Sequence, residues 1–176
     1  MGLRRYSRGV TFVELMATLL VVAVVAAIAL PGFSSLAQNN RAIAQMDLLH
    51  AAFNYARSEA VRRNTTVYVT SLSGDKYWSS QGWRIWVPKA GNTVYVDGTD
   101  TELRVQPGFT GGATLIAPDL TEVVFAANGF LRKDAGSTFT TSYVFNFRIG
   151  NRCDLSRDIT LMYAGRVSTA ALTCTQ

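Results

Sequence analysis

At 176 residues the chain has room for one globular domain and an appendage, which excludes a multidomain machine. The formal charge of +5 invites a nucleic-acid reading, yet Arg4, Arg5 and Arg8 all precede the densest apolar run, where a basic flank sets membrane orientation. One histidine and two cysteines are poor material for a metal centre, and no metal site is expected.

The apolar run VTFVELMATLLVVAVVAAIAL extends from Val10 to Leu30. As a helix it would measure about 31 Å at about 1.5 Å per residue, enough to cross the hydrocarbon core of a bilayer. One acid, Glu14, interrupts it. A charge at that depth costs at least about 2.5–3.5 kcal/mol, so such an acid is a functional group by default. A buried carboxylate needs a partner or takes up a proton. The plainer alternative is an ordinary anchor whose lone acid reaches back to the interface.

After Pro31 and Gly32 the helical pattern resumes. Met46, Leu49, Phe53, Ala56 and Ala60 recur at three- and four-residue steps, while Arg41, Gln45, Arg57 and Arg62 fall largely outside the stripe. One long helix is predicted from about Thr11 to Arg63. It stops near Asn64, because Thr65-Thr66-Val67-Tyr68-Val69 is β-branched and strand-like.

Downstream the chain is β-rich. Strands are predicted at Val67–Ser71, Trp83–Val87, Thr93–Val96, Leu103–Gln106, Ala113–Ile116, Val123–Ala126, Tyr143–Ile149, Asp158–Met162 and Val167–Thr173. Turn signals such as Ser73-Gly74-Asp75, Asp97-Gly98, Asn128-Gly129 and Ala164-Gly165 separate them. Short strands on short turns imply antiparallel pairing. The fold class expected is α+β, a long N-terminal helix packed against an antiparallel β-sheet head.

Within one predicted strand Trp83 and Ile85 share a face and Arg84 and Trp86 share the other, so one set belongs to the core; the other is either exposed for a subunit contact or packed with the rest over the long helix. The segment PGFTGGAT lacks the Gly-Lys-Ser/Thr ending of a phosphate loop and reads as an interstrand loop. His50 has no second ligand near it. Asp97, Asp100, Asp154 and Asp158 lie near turns, where carboxylates satisfy backbone donors. Cys153 and Cys174, in an exported domain, are expected to form a disulfide worth about 3 kcal/mol.

A secretory signal peptide is cut after its apolar region. Here the small residue in the informative place is Gly9, ahead of it. The stretch RGVTFVEL resembles the processing site of type IV prepilins and pseudopilins. The resemblance implies that a prepilin peptidase cuts after Gly9, that Val10 becomes the methylated mature N-terminus, and that the apolar helix is kept. It makes Glu14 the fifth mature residue, pairing with the N-terminal amine of a neighbouring subunit to set axial register, and Pro31 a helix kink. Val10 departs from the family's usual Phe. The implied organisation is a leader over 1–9, a transmembrane or filament-core helix over 10–31, and a periplasmic head over 32–176.

The stretches ARSEAVRRNTTVYV, GWRIWV, VVFAANG and RDITLMYAGRVS narrow the resemblance to the GspH/FimT branch of pilin-like proteins. That branch implies a minor type IV pilin in the tip complex that primes pilus assembly, with other minor pilins and the major pilin as partners and the inner membrane as its first location. The alternative within the branch is a minor pseudopilin of type II secretion. Neither is an enzyme or needs a cofactor. Some minor pilins of this branch bind DNA through a Gly-Arg-x-Arg element. Gly165-Arg166-Val167-Ser168 lacks its second Arg, so DNA binding through Arg166, with Arg148 and Arg152, is an alternative that is not favoured.

Overall fold

A computed structural model describes residues 10–89, 91–132, 142–150 and 152–173, without the side chains of residues 29–35. The predicted cleavage residue Gly9, the second cysteine, Cys174, and the side chain of Pro31 lie outside the described residues. The chain divides into two compact units, Met1–Asn40 and Arg41–Gln176.

One helix, α1 (Phe12–Arg63), supplies the first unit and begins the second. It starts where the Thr11 hydroxyl accepts the backbone N–H of Glu14 at 3.2 Å, satisfying one of the four donors a helix N-terminus leaves open. Among the described residues no helix is long and apolar enough to cross a membrane; the described side chains of the apolar run end at Ile28. The helical backbone continues through Pro31.

The far end of α1 has a definite stop. Asn64 takes a left-handed φ of 50°, its N–H reaches the Val61 carbonyl, and the Thr65 N–H reaches that of Ala60. These paired bonds make a Schellman motif, with Asn in the place glycine usually holds.

The second unit carries two four-stranded antiparallel sheets. The first has strand order β3-β2-β1-β5, from β1 (Val67–Ser71), β2 (Gly82–Val87), β3 (Thr101–Pro107) and β5 (Glu122–Phe125). The second has order β4-β6-β7-β8, from β4 (Ala113–Ile116), β6 (Ser142–Ile149), β7 (Arg157–Met162) and β8 (Val167–Ala171). A one-turn helix, α2 (Trp78–Gln81), links β1 to β2. The α+β expectation therefore holds, with the antiparallel head built as two sheets.

One core joins all three layers. From α1 come Leu49, Phe53, Ala56 and Ala60, from the first sheet Val67, Val69, Trp83, Ile85 and Phe125, and from the second Leu115, Phe145, Phe147, Ile159 and Leu161. Phe53 sits at the centre, with its ring 5.2 Å from Phe145 and 6.3 Å from Trp78. Burying one such side chain is worth about 1.5–3 kcal/mol. Alanines on the buried helix face let the sheets approach the backbone closely.

Three expectations need correction. Thr93–Val96 is not a strand but part of a loop that curls round the buried Asp100, whose carboxylate accepts the N–H groups of Lys89 and Val96 and the side-chain amide of Asn92. Gln45 is buried, because its amide donates to the Thr110 carbonyl at 2.9 Å. Trp86 is fully buried although it faces away from the main core: it stacks on Tyr68 at 4.6 Å and meets Tyr95 edge-on at 5.5 Å, so this face is neither exposed nor packed on the long helix but covered by its own aromatic cluster.

Candidate functional site

In the first unit Glu14 stands on the third helical position of α1, where the Thr-x-x-Glu spacing of Thr11 and Glu14 is that of a capping box. The Thr11 half of that box is formed. The Glu14 carboxylate is exposed and accepts no hydrogen bond from the described residues. Beside it Ala17, Thr18, Val21 and Val22 complete a shallow groove of about 380 Å3. An ionisable group at the edge of an apolar groove, with its helix already capped by another residue, is available to a partner.

The head's own acids are committed. Glu59 is buried and receives Arg62 Nη2 and Arg63 Nε, both at 2.6 Å. The Arg62 and then the Arg63 hydrogen bonds hold its carboxyl below the usual carboxylate range despite burial. Burial works against ionisation of Asp100, but the N–H donors of Lys89 and Val96 outweigh it and that carboxyl too titrates low. Glu59 was not singled out in the sequence; its spacing of three and four residues to two arginines is the signal that finds it.

The three arginines named for DNA contact fall in different settings. Arg148 donates to Asp158 at 2.8 Å and to the Arg157 carbonyl at 2.9 Å. Arg152 grips Asp154 with two bonds, of 2.9 and 2.8 Å, which lower the Asp154 carboxyl. Arg157 turns instead to the Asp154 and Ser156 carbonyls. Arg166 is exposed in the β7–β8 turn. The structure gives no convergence of these three onto one phosphate-sized site.

His50 is half-buried, with Nε2 2.6 Å from the Thr169 hydroxyl. Among the described residues no three His, Cys, Asp or Glu gather to hold a metal ion. Cys153 opens a 3-10 turn at Cys153–Leu155.

An apolar N-terminal helix run that carries one acid, followed by a head whose core is built on the same helix, is the architecture of a pilin-like protein. The model of the type II transport protein GspH family matches residues 45–162, and that of the prokaryotic N-terminal methylation motif matches residues 4–30. The chain belongs to the GspH family, and so to the minor pilins and pseudopilins. It is similar to the type IV minor pilin FimU of Pseudomonas aeruginosa. To one crystal form of that protein it is 25% identical with a TM-score of 0.59, over 76% of this chain and 90% of that one. To a second form it is 26% identical with a TM-score of 0.53, over 70% and 88%. No curated protein matches the chain.

Proposed function

We propose that the protein is a minor pilin of the tip complex that primes assembly of a type IV pilus. The observation that carries the reading is Glu14: the sole charged residue between Arg8 and Arg41, inside the matched methylation motif, with a carboxylate that no described residue occupies. Cleavage after Gly9 by a prepilin peptidase frees the amine of Val10, which is then methylated. The apolar segment anchors the protein in the inner membrane, with Pro31 as a bend. On assembly Glu14 pairs with the amine of a neighbouring subunit, and that pairing sets the axial register. Cys153 and Cys174 close the C-terminal region of the head as a disulfide; among the described residues no cysteine is free, which supports this.

The family match itself favours a second reading, a minor pseudopilin of type II secretion, whose filament uses the same leader and helix. DNA capture is not favoured, since acids already engage Arg148 and Arg152. Mass spectrometry of the mature protein tests the first step. A chain beginning at Val10, with or without a methyl group, supports the reading, and one beginning at Met1 or after Leu30 defeats it. Glu14→Gln should leave cleavage intact and reduce recovery in sheared filaments.

A further inference from the structure

Two β-turns close over one arginine of α1. The turn after β5 and the turn between β7 and β8 bring Gly129 and Gly165 against Arg57. A Cβ on Gly129 would lie 3.2 Å from Arg57 Nε, and one on Gly165 would lie 3.0 Å from it. Both glycines have positive φ, 78° and 74°, so the turns and the close approach require glycine at both places. The Leu131 N–H donates to the Tyr163 carbonyl at 2.9 Å, which ties the first sheet's turn to the second sheet. Above this seam the rings of Phe130 and Tyr163 pack at 5.4 Å, yet they remain 37% and 44% exposed. Val61, one helical turn beyond Arg57, is 53% exposed, and Arg57, Val61 and Arg62 line an open groove of about 480 Å3. Arg166, next to Gly165, is exposed at the same turn.

Exposed aromatics, with an exposed aliphatic that shares its groove with Arg57 and Arg62, have the composition of an interface core. The acid on this stretch of helix, Glu59, is buried and already neutralised by Arg62 and Arg63. Among the described residues neither Arg57 nor Arg166 is in an ion pair, so the patch presents positive charge. Its rings lie against each other, tilted at 50°, rather than parted to admit a base, and Val61 offers a nucleotide nothing. We infer that this seam is a docking surface for another pilin-like subunit, which meets it with an apolar contact flanked by Asp or Glu side chains. The inference rests on the filament-subunit reading above and names where the head makes its lateral contact.

The test uses the full chain in its own cells. A photo-crosslinking residue is placed at Val61 or Tyr163, and at Val94 as a control on a different loop, and the sheared filament fraction is assayed for the chain in parallel. The expected result is a crosslink from Val61 and Tyr163, but not Val94, to an acidic segment of another pilin-like subunit. Arg166→Glu should reduce its yield by about tenfold or more, since like charges at an interface cost several kcal/mol. A compensating Asp or Glu to Lys change in the crosslinked segment should restore it. Arg166 is the first choice because it is exposed; Arg57→Glu is the second, since the Arg57 stem packs under both turns. A crosslink to nucleic acid or lipid, a yield unmoved by Arg166→Glu, or no crosslink from a chain that is present in filaments overturns the docking surface. A chain absent from filaments that still crosslinks to such a segment overturns the filament reading and leaves the surface standing. Absence of both overturns both.

Discussion

Arg63 reaches back one turn of α1 to Glu59, placing its Nε 2.6 Å from a carboxylate oxygen that Arg62 Nη2 contacts at the same distance. The acid precedes the bases along the helix, and the bases lie in its last turn, which is the favourable sense for both the pair and the helix dipole. Glu59 is 6% exposed, so a neutral replacement leaves a buried amide with weaker partners. Glu59→Gln should destabilise the fold by about 1–3 kcal/mol, measured by denaturant unfolding of the full chain in detergent.

The same pair makes a pH prediction. The Glu59 carboxyl titrates below its ordinary range in the folded state, so its contribution is fully present above the unfolded value and is lost as pH falls through the folded one. On acidification the parent protein should lose stability faster than Glu59→Gln, and the two curves should converge at low pH. Parallel curves would mean that the pair is solvated like any surface contact.

Phe53→Ala removes the ring about which Trp78, Phe125 and Phe145 are arranged. A loss of about 3–5 kcal/mol is expected from the missing transfer energy and the cavity left behind. Trp86→Ala, in the separate outer cluster, should spare the contacts of Phe53 and instead loosen the Tyr95 loop, read as faster protease cleavage between Val87 and Thr101.

Gly165→Ala and Gly74→Ala form a controlled pair. Both glycines have φ near +70°, so both substitutions carry backbone strain of about 1 kcal/mol. A Cβ at Gly74 meets nothing within 4 Å, whereas one at Gly165 lies 2.6 Å from the Gly129 carbonyl. Gly165→Ala should therefore cost clearly more, by about 1–3 kcal/mol.

Duplex DNA binding should be too weak to matter at physiological salt. Arg148 and Arg152 are already engaged by Asp158 and Asp154, so few phosphates remain to be neutralised. Titration across salt should give a shallow log–log slope, at about −0.9 per phosphate, which Arg166→Ala barely changes. Micromolar affinity at physiological salt, lost in Arg166→Ala, would reverse this.

Local chemistry made much of the fold legible. The β-branched run at Val67–Ser71 and the alternation at Ala113–Ile116 became strands with those same bounds. The apolar steps through Leu49, Phe53, Ala56 and Ala60 marked the helix face that is buried. What stayed hidden depended on distant partners. Val94 sits in a strand-like sequence, but three donors drawn to Asp100 curl that segment. Trp86 faces outward on its strand, and it is Tyr68, Val124 and Tyr95, from other segments, that cluster with it. The split into two sheets depends on β1 pairing with β5 and β4 with β6, which no local pattern encodes. At the candidate site the lone acid was plain from its surroundings, whereas the seam over Arg57 required three separate segments to meet.

The strand order has a consequence for synthesis. The chain lays down β1, β2 and β3 in one sheet, crosses to the other for β4, and returns for β5 before finishing with β6, β7 and β8. Neither sheet is encoded by an uninterrupted stretch. While the polypeptide emerges from its N-terminus, β4 must wait for β6, its strand partner in the second sheet, on the far side of residues 117–141. The first sheet has all its strands once β5 is made, whereas the second depends on everything from Ser142 to Ala171. A ribosome stalled after Phe125 would release a first sheet with all four strands present and Leu115 stranded in water, so a premature stop there should yield a target for proteolysis rather than a smaller working head.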